Sequence, residues 1–414
     1  MLRSMFSGVS GLRSHQTMMD VIGNNIANVN TMGYKTSTAM FQDLLSQVLN
    51  GAGVATATAG GTNPAQVGLG VKVAGISTTF TQGASQLTGR ATDLAIQGDG
   101  FFVVQRQGQQ LFTRAGSLSF DSLGRLTTPD GGILQGWPAD SVGGINTNAT
   151  IDDLSMPLGQ TIAPQVTGSL TLGGNLNASD PVGTAITSSI EVFDQQGTPI
   201  TMSFTFTKAA ANSWNLTGSA TDPSGGTLAV TMAGSPLTFS PSTGALTSGA
   251  VSATIAGGGF PAALTVDLGT PGSPESITQF SGPNDVAALS QDGYALGALQ
   301  AFTIGNDGVV TGVFSNGRNR PIGQIALGSF SNPVGLEKVG DSLFRPTVNS
   351  GLAQIGTAGS GGRGTLSGST LEMSNVDLAR EFTNLIIAQR GFQANSRVIT
   401  ASDELLQDLV NLKR

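Results

Sequence analysis

The chain of 414 residues contains no cysteine, which removes both a disulfide framework and any thiolate metal site. It has one histidine, His15, so a nucleophile-histidine couple or a multi-histidine metal centre lacks its parts. Charged residues are 11% of the chain, against a usual ~25%. Basic residues are scarcest in the middle. Residues 146–282 hold Lys208 as their only Lys or Arg, against Asp152, Asp153, Asp180, Glu191, Asp194, Asp222, Asp267 and Glu275, a local charge of -7 that equals the net charge of the whole chain. With no basic cluster beyond Arg318 and Arg320, a phosphate backbone finds no complement, and nucleic-acid binding is excluded. No apolar run reaches the ~18 residues of a membrane span. Ser4, Ser7, Ser10, Arg13, His15 and Asp20 also break up the first thirty residues, so a secretory apolar block is missing there and neither a signal peptide nor membrane insertion is expected.

What the chain has in excess is glycine, 59 residues, about double the usual ~7%. So many turn formers point to a β-rich middle, and the length allows several domains with real cores. The two ends read differently. Leu378, Leu385, Phe392, Ile399 and Leu406 recur every seven residues, and Phe382, Ala388, Leu409 and Val410 fill neighbouring positions. Leu2, Met5, Val9, Leu12, Gln16 and Met19 step by three and four, and Ile22, Ile26 and Val29 continue after a one-residue slip. So narrow an apolar stripe needs partner helices. The expected assembly interface is therefore Leu2, Met5, Val9, Leu12, Met19 and Ile26 of the first helix with Leu378, Phe382, Leu385, Phe392, Ile399, Leu406 and Leu409 of the second. Asn395 and Ser402 interrupt the second stripe where a self-sufficient bundle would carry large apolar residues.

The expected fold is multidomain and mainly β, with long terminal α-helices and a nested order. Residues 1–70 form the N-terminal helix (2–27), a short amphipathic stretch at Phe41, Leu44, Leu45 and Val48 with Asp43 in its first turn, and a linker at 51–63. Residues 71–145 form the first half of an inner β domain, with a tight hairpin across the GDG turn at 98–100. Residues 146–282 form an inserted outer β domain in which Ile190 and Val192 face Ile200, Met202, Phe204 and Phe206 across DQQG at 194–197. Residues 283–362 complete the inner domain. Residues 363–414 are linker and C-terminal helix, which begins near 375 behind the capping pair Ser374 and Asp377.

No constellation supports catalysis. His15 reads as a helix-surface or inter-subunit hydrogen bonder, and Asp152 with Asp153 as a solvated loop pair. GDG and GRG (362–364) lack the lysine and the strand-to-helix context of a phosphate loop. The Asp307 turn lacks the closing glutamate of a calcium loop. No cofactor is expected.

SGLRSHQTMMDVIGNNIANVNTMGYK (10–35) resembles the N-terminal signature of bacterial flagellar rod and hook proteins, carried here by Ala27, Asn28, Asn30, Thr31, Gly33, Tyr34 and Lys35. Met32 departs from the proline that many members carry. TGRATDLAIQGDGFFVV (88–104), FTRAGSLSFDSLGRL (112–126) and LQGW (134–137) resemble a second signature, and residues 371–412 resemble the C-terminal helix of the family. The size of the insert places the chain in the hook branch, with the distal rod as alternative. A secreted β-sandwich adhesin, from another class, leaves the end helices unexplained. The resemblance implies an extracellular tubular polymer that couples rod to filament, with paired terminal helices innermost and the insert outermost. It also implies export, without a cleaved signal, through the flagellar type III apparatus. The implied partners are further copies of the chain, rod and hook-filament junction proteins, and a hook cap.

Overall fold

The computed structural model describes residues 2–56, 60–140, 143–156, 159, 161–248, 251–256, 260, 263–270 and 276–411; the side chains of Leu2, Leu409 and Val410 are not among those described. The chain divides into two compact units. One is Met1–Pro157, Phe302–Thr311 and Pro321–Arg414; the other is Leu158–Ala301 and Gly312–Arg320. The expected insert 146–282 and this second unit overlap without coinciding.

The first unit opens with helix α1, Leu2–Ala27, and closes with helix α2, Leu378–Asn411. α1 stops where Asn28 turns its side-chain amide back onto the Asn24 carbonyl at 2.9 Å and Gly33 adopts φ +68°, a conformation that favours glycine. At Gly33 a Cβ would lie 2.6 Å from the Ala115 backbone nitrogen, so close approach demands glycine as well. α2 starts three residues later than the expected 375. Asp377 is its cap, its carboxylate accepting the Ala379 and Arg380 N–H groups at 2.9 and 3.2 Å, while Asn375 is held outside the helix by the Thr79 and Thr81 carbonyls.

The expected amphipathic stretch after α1 is not helical. Ser37–Asp43 pairs antiparallel with Val71–Thr78, and Ser46–Asn50 with Ala65–Gly68, giving a two-stranded ribbon whose Gly53–Thr62 bridge falls inside the expected linker. Spacing over eight residues could not separate the two periods; the β-branched partner Val71, Val73 and Ile76 decided it.

The GDG hairpin is also corrected. Leu94–Gln97 pairs with Thr365–Gly368, whereas Phe101–Arg106 folds back on Gln109–Thr113. That tight turn is at Gln107 and Gly108, with φ +51° and +76°, the hand a two-residue hairpin requires. At GDG the chain leaves one sheet for another. Strand Phe101–Arg106 is buried on both faces: Phe102 and Val104 enter a core with Leu94, Leu134 and Leu327, and Phe101 and Val103 enter another with Phe112, Trp137 and Phe344. Early and late parts of the chain share its sheet, since Leu327 pairs with Phe102 and Ile325 with Gly136.

The second unit stacks two five-stranded sheets over one core. Its hairpin Ala185–Phe193 and Pro199–Ala210 sets Val192 opposite Ile200 and Ile190 opposite Met202, the pairing expected from the alternation. Asp194 closes the turn, its carboxylate accepting the Gln196 and Thr198 N–H groups at 2.9 and 2.7 Å. Met202, Phe204, Phe206 and Trp214 fill the core against Leu170, Leu172, Val251 and Val266.

Candidate assembly interface

α1 and α2 pack antiparallel along a line of small and polar residues. Ser4 and Ser402 hydroxyls meet at 3.3 Å. Gly8 lies against Ile399 and Gly11 against Asn395, and the His15 ring covers Gly391. Asn25 donates to the Glu381 carboxylate at 3.3 Å. Glu381, Ala388, Asn395 and Ser402 repeat every seven residues along this line, and Ala388 is fully buried. A Cβ at Gly11 would fall 2.6 Å from the Asn395 side chain, so glycine sets how closely the helices approach. Asn395 turns its own amide onto the Gly391 carbonyl at 2.8 Å, which satisfies it inside the contact.

The apolar series read from the sequence lies beside this line. Met5, Leu12, Met19 and Ile26 are half-buried on α1, and Val9 is exposed; Leu385, Ile399 and Leu406 are half-buried on α2, and Leu378, Phe382 and Phe392 are exposed. Ile22 is the large apolar residue of α1 that is buried. Leu2 and Leu409 lie outside the described side chains. Phe6 is 71% exposed, Ile386 58% and Ile387 56%. Small residues thus line the closest approach of the two helices, and several large ones stay exposed on the flanks.

The signature segment anchors this helix pair to the β core. The Lys35 ammonium, fully buried, bonds the Glu372 carboxylate at 2.7 Å and the Thr81 carbonyl at 2.7 Å. The other Glu372 oxygen faces the Arg114 guanidinium at 3.4 Å, and the Gly83 N–H donates to the first at 2.9 Å. Gly33 donates its N–H to the Glu372 carbonyl at 2.8 Å. Burial pushes the Lys35 ammonium below its ordinary value, the Glu372 hydrogen bond and charge oppose that, and the Arg114 charge adds to it. With every partner in place the ion pair is satisfied; removing one member leaves a buried charge.

A second knot surrounds Asn25. Its amide donates to the Ser37 carbonyl at 2.7 Å, and its oxygen accepts the Ser37 N–H and the Tyr34 hydroxyl at 3.0 and 3.1 Å. Burial, and then the Glu381 charge, raise the Tyr34 phenol. Asn28 accepts the Thr31 hydroxyl at 3.0 Å, while Ala27 and Asn30 are exposed. A cleft of about 360 Å³ lies between this segment and residues 338–344, where the Lys338 ammonium sits 5.0 Å from the Tyr34 ring centre and bonds the Lys35 carbonyl at 3.1 Å. Sequence reasoning did not single out Glu372, Asn25, Arg114 or Asn375. The available signal was charge scarcity: in a chain with so few charges, a carboxylate such as Glu372 beside Leu371 and Met373 invites the question of which cation meets it.

His15 works as a spacer within the subunit, its ring edge-on to Phe41 at 5.7 Å and its Nδ1 without a partner. Among the described residues no group of three His, Asp or Glu side chains could hold a metal ion, and no helix is long and apolar enough to cross a membrane.

The flagellar hook protein FlgE of Borreliella burgdorferi is 41% identical over the full length of both chains, and that of Escherichia coli K12 is 37% identical over 98% of each. The chain belongs to the flagellar hook protein family. It is a structural subunit of the hook and so part of the motility apparatus. Four family descriptions match along the hook chain: "Flagella basal body rod protein" at residues 5–35, "Flagellar hook protein FlgE/F/G D1 domain" at 95–172, "Flagellar basal body protein FlaE D2 domain" at 161–294 and "Flagellar basal body rod FlgEFG protein C-terminal" at 367–412. The crystal structure of Helicobacter pylori flagellar hook protein FlgE2 superimposes with a TM-score of 0.55 at 15% identity, covering 70% of this chain and all of that one, a likeness of fold. A Bacillus subtilis protein named flagellar basal-body rod protein FlgG is 32% identical over the whole of both chains.

Proposed function

We propose that the chain polymerises with copies of itself through the exposed flanks of the α1–α2 pair, and that the resulting tube transmits torque from rod to filament while bending. The carrying observation is the inverted packing of the helices. Small residues are spent on the intramolecular contact, and Phe382, Ile386, Ile387 and Phe392 are kept partly on the outside, where cover by a neighbour contributes about 25 cal/mol per Å² of apolar surface removed from water. In this reading the terminal helices are innermost and the acidic stretch 146–282 faces solvent, where like charge among copies is tolerated. Hook cap, rod and hook-filament junction proteins are its partners at assembly, and export through the flagellar type III apparatus delivers it. Phe382→Asp with Phe392→Asp tests the central claim: electron microscopy and sedimentation should find tubes from the parent and folded monomers from the variant, and normal tubes from the variant would sink it.

A further inference from the structure

The last turns of α2 and a groove beside α1 have complementary surfaces. Ser402 is opposite Ser4, and residues 405–411 of α2 follow beyond that contact. Within the last two turns Glu404 and Asp408 stand four apart, on one face, and Leu405 beside them is 57% exposed. Between Arg397 and the end of the described helix the only charges are Asp403, Glu404 and Asp408; Lys413 and Arg414 follow outside it. The end of α2 is thus an acidic strip with an apolar edge.

The groove has the opposite character. It lies between α1 and the 37–78 ribbon, has a volume of about 470 Å³, and is walled by Phe6, Val9, Leu44 and Leu69 together with the cations Arg13 and Lys72. It sits on a different flank of α1 from the Gly8–Gly11–His15 line that holds α2 of the same chain. Neither Arg13 nor Lys72 forms a salt bridge among the described residues.

We infer that this groove receives the C-terminal end of α2 from a second copy of the chain, with Glu404 and Asp408 meeting Arg13 and Lys72 and Leu405 entering the apolar wall. The inference rests on the polymerisation proposed above and names one of its contacts. Charge complementarity selects the occupant: the groove carries two cations and an apolar floor, and the strip carries two carboxylates and a leucine. A second copy brings one strip for every groove and leaves one groove free, a head-to-tail contact that propagates.

Reciprocal charge reversal tests it on the full-length protein. Glu404→Lys with Asp408→Lys should raise the critical concentration for polymerisation, read by sedimentation, by roughly tenfold or more, since like charges then face each other. Arg13→Glu with Lys72→Glu should do the same, and the fourfold variant should polymerise again near the parental concentration. Circular dichroism of the monomers checks that each variant keeps its helices. If either pair polymerises as the parent does, or if the fourfold variant stays as impaired as the pairs, the contact is wrong even though parental tubes form. If the parent forms no tubes, the failure lies with the proposed function instead.

Discussion

The helix pair and the second unit pack by opposite rules. In the sandwich, Phe204, Phe206 and Trp214 are wholly buried and the positions alternating with them, Ser203, Thr205, Thr207, Asn215 and Thr217, are polar and less buried. In the helices the closest contact is made by Gly8, Gly11, Gly391, Ala388 and Ser402, while Phe6, Phe382, Ile386 and Ile387 are exposed. Phe204, Phe206 and Trp214 reach full burial within the subunit, whereas Phe382, Ile386 and Ile387 of the helix pair do not. On the proposed polymerisation, further copies would cover that flank, so one region completes its core alone and the other in the assembly.

Three measurements bear on that contrast, in falling order of effect. Phe204→Ala should destabilise the sandwich by about 3–5 kcal/mol, seen as a lower urea midpoint for that unit. An equal loss from Phe382→Ala in the isolated monomer would erase the distinction. Gly11→Leu should cost the monomer about 1–3 kcal/mol, because the added side chain begins 2.6 Å from Asn395 and must part the helices; the far-ultraviolet signal of the helices should melt earlier while the β units stay unchanged. Unaltered helix melting would mean that the small-residue line is not the contact. The smallest effect is with pH. Tyr34 keeps its proton above the ordinary value of 10.0 when folded, so the unfolded chain gives up that proton first. Its stabilisation is complete below pH 10 and is lost as pH rises through the folded value. Tyr34→Phe should flatten that part of the alkaline stability curve, and a parent and variant with parallel curves above pH 10 would dismiss the coupling.

The helices, their ends and the strongest hairpin were legible because their signals are local: period, caps and a DQQG turn between alternating strands. The ribbon at 37–78 and the partner of Leu94–Gln97 were not, since each depends on a strand far along the chain. The helix pair was legible as apolar spacing, but its split into an inner small-residue line and an exposed apolar flank was not. Glycine at positions 8, 11 and 391 reads as a weak spot in a helix until a partner backbone is seen to need the space. The function of Lys35 as an anchor was hidden for a related reason. Its counter-charge Glu372 is 337 positions away, and nothing near Lys35 announces burial.

That separation also has a consequence for timing. Closing a flexible loop of this length costs roughly 5 kcal/mol of chain entropy before any contact rewards it, so the Lys35–Glu372 clasp forms late, after the intervening β units have drawn positions 35 and 372 together. Before then α1 can rest only on its own ribbon, through Asn25 and Ser37. The clasp is thereby a clock as well as a bolt: it ties the final seating of the signature segment to the folding of the β units between its two members.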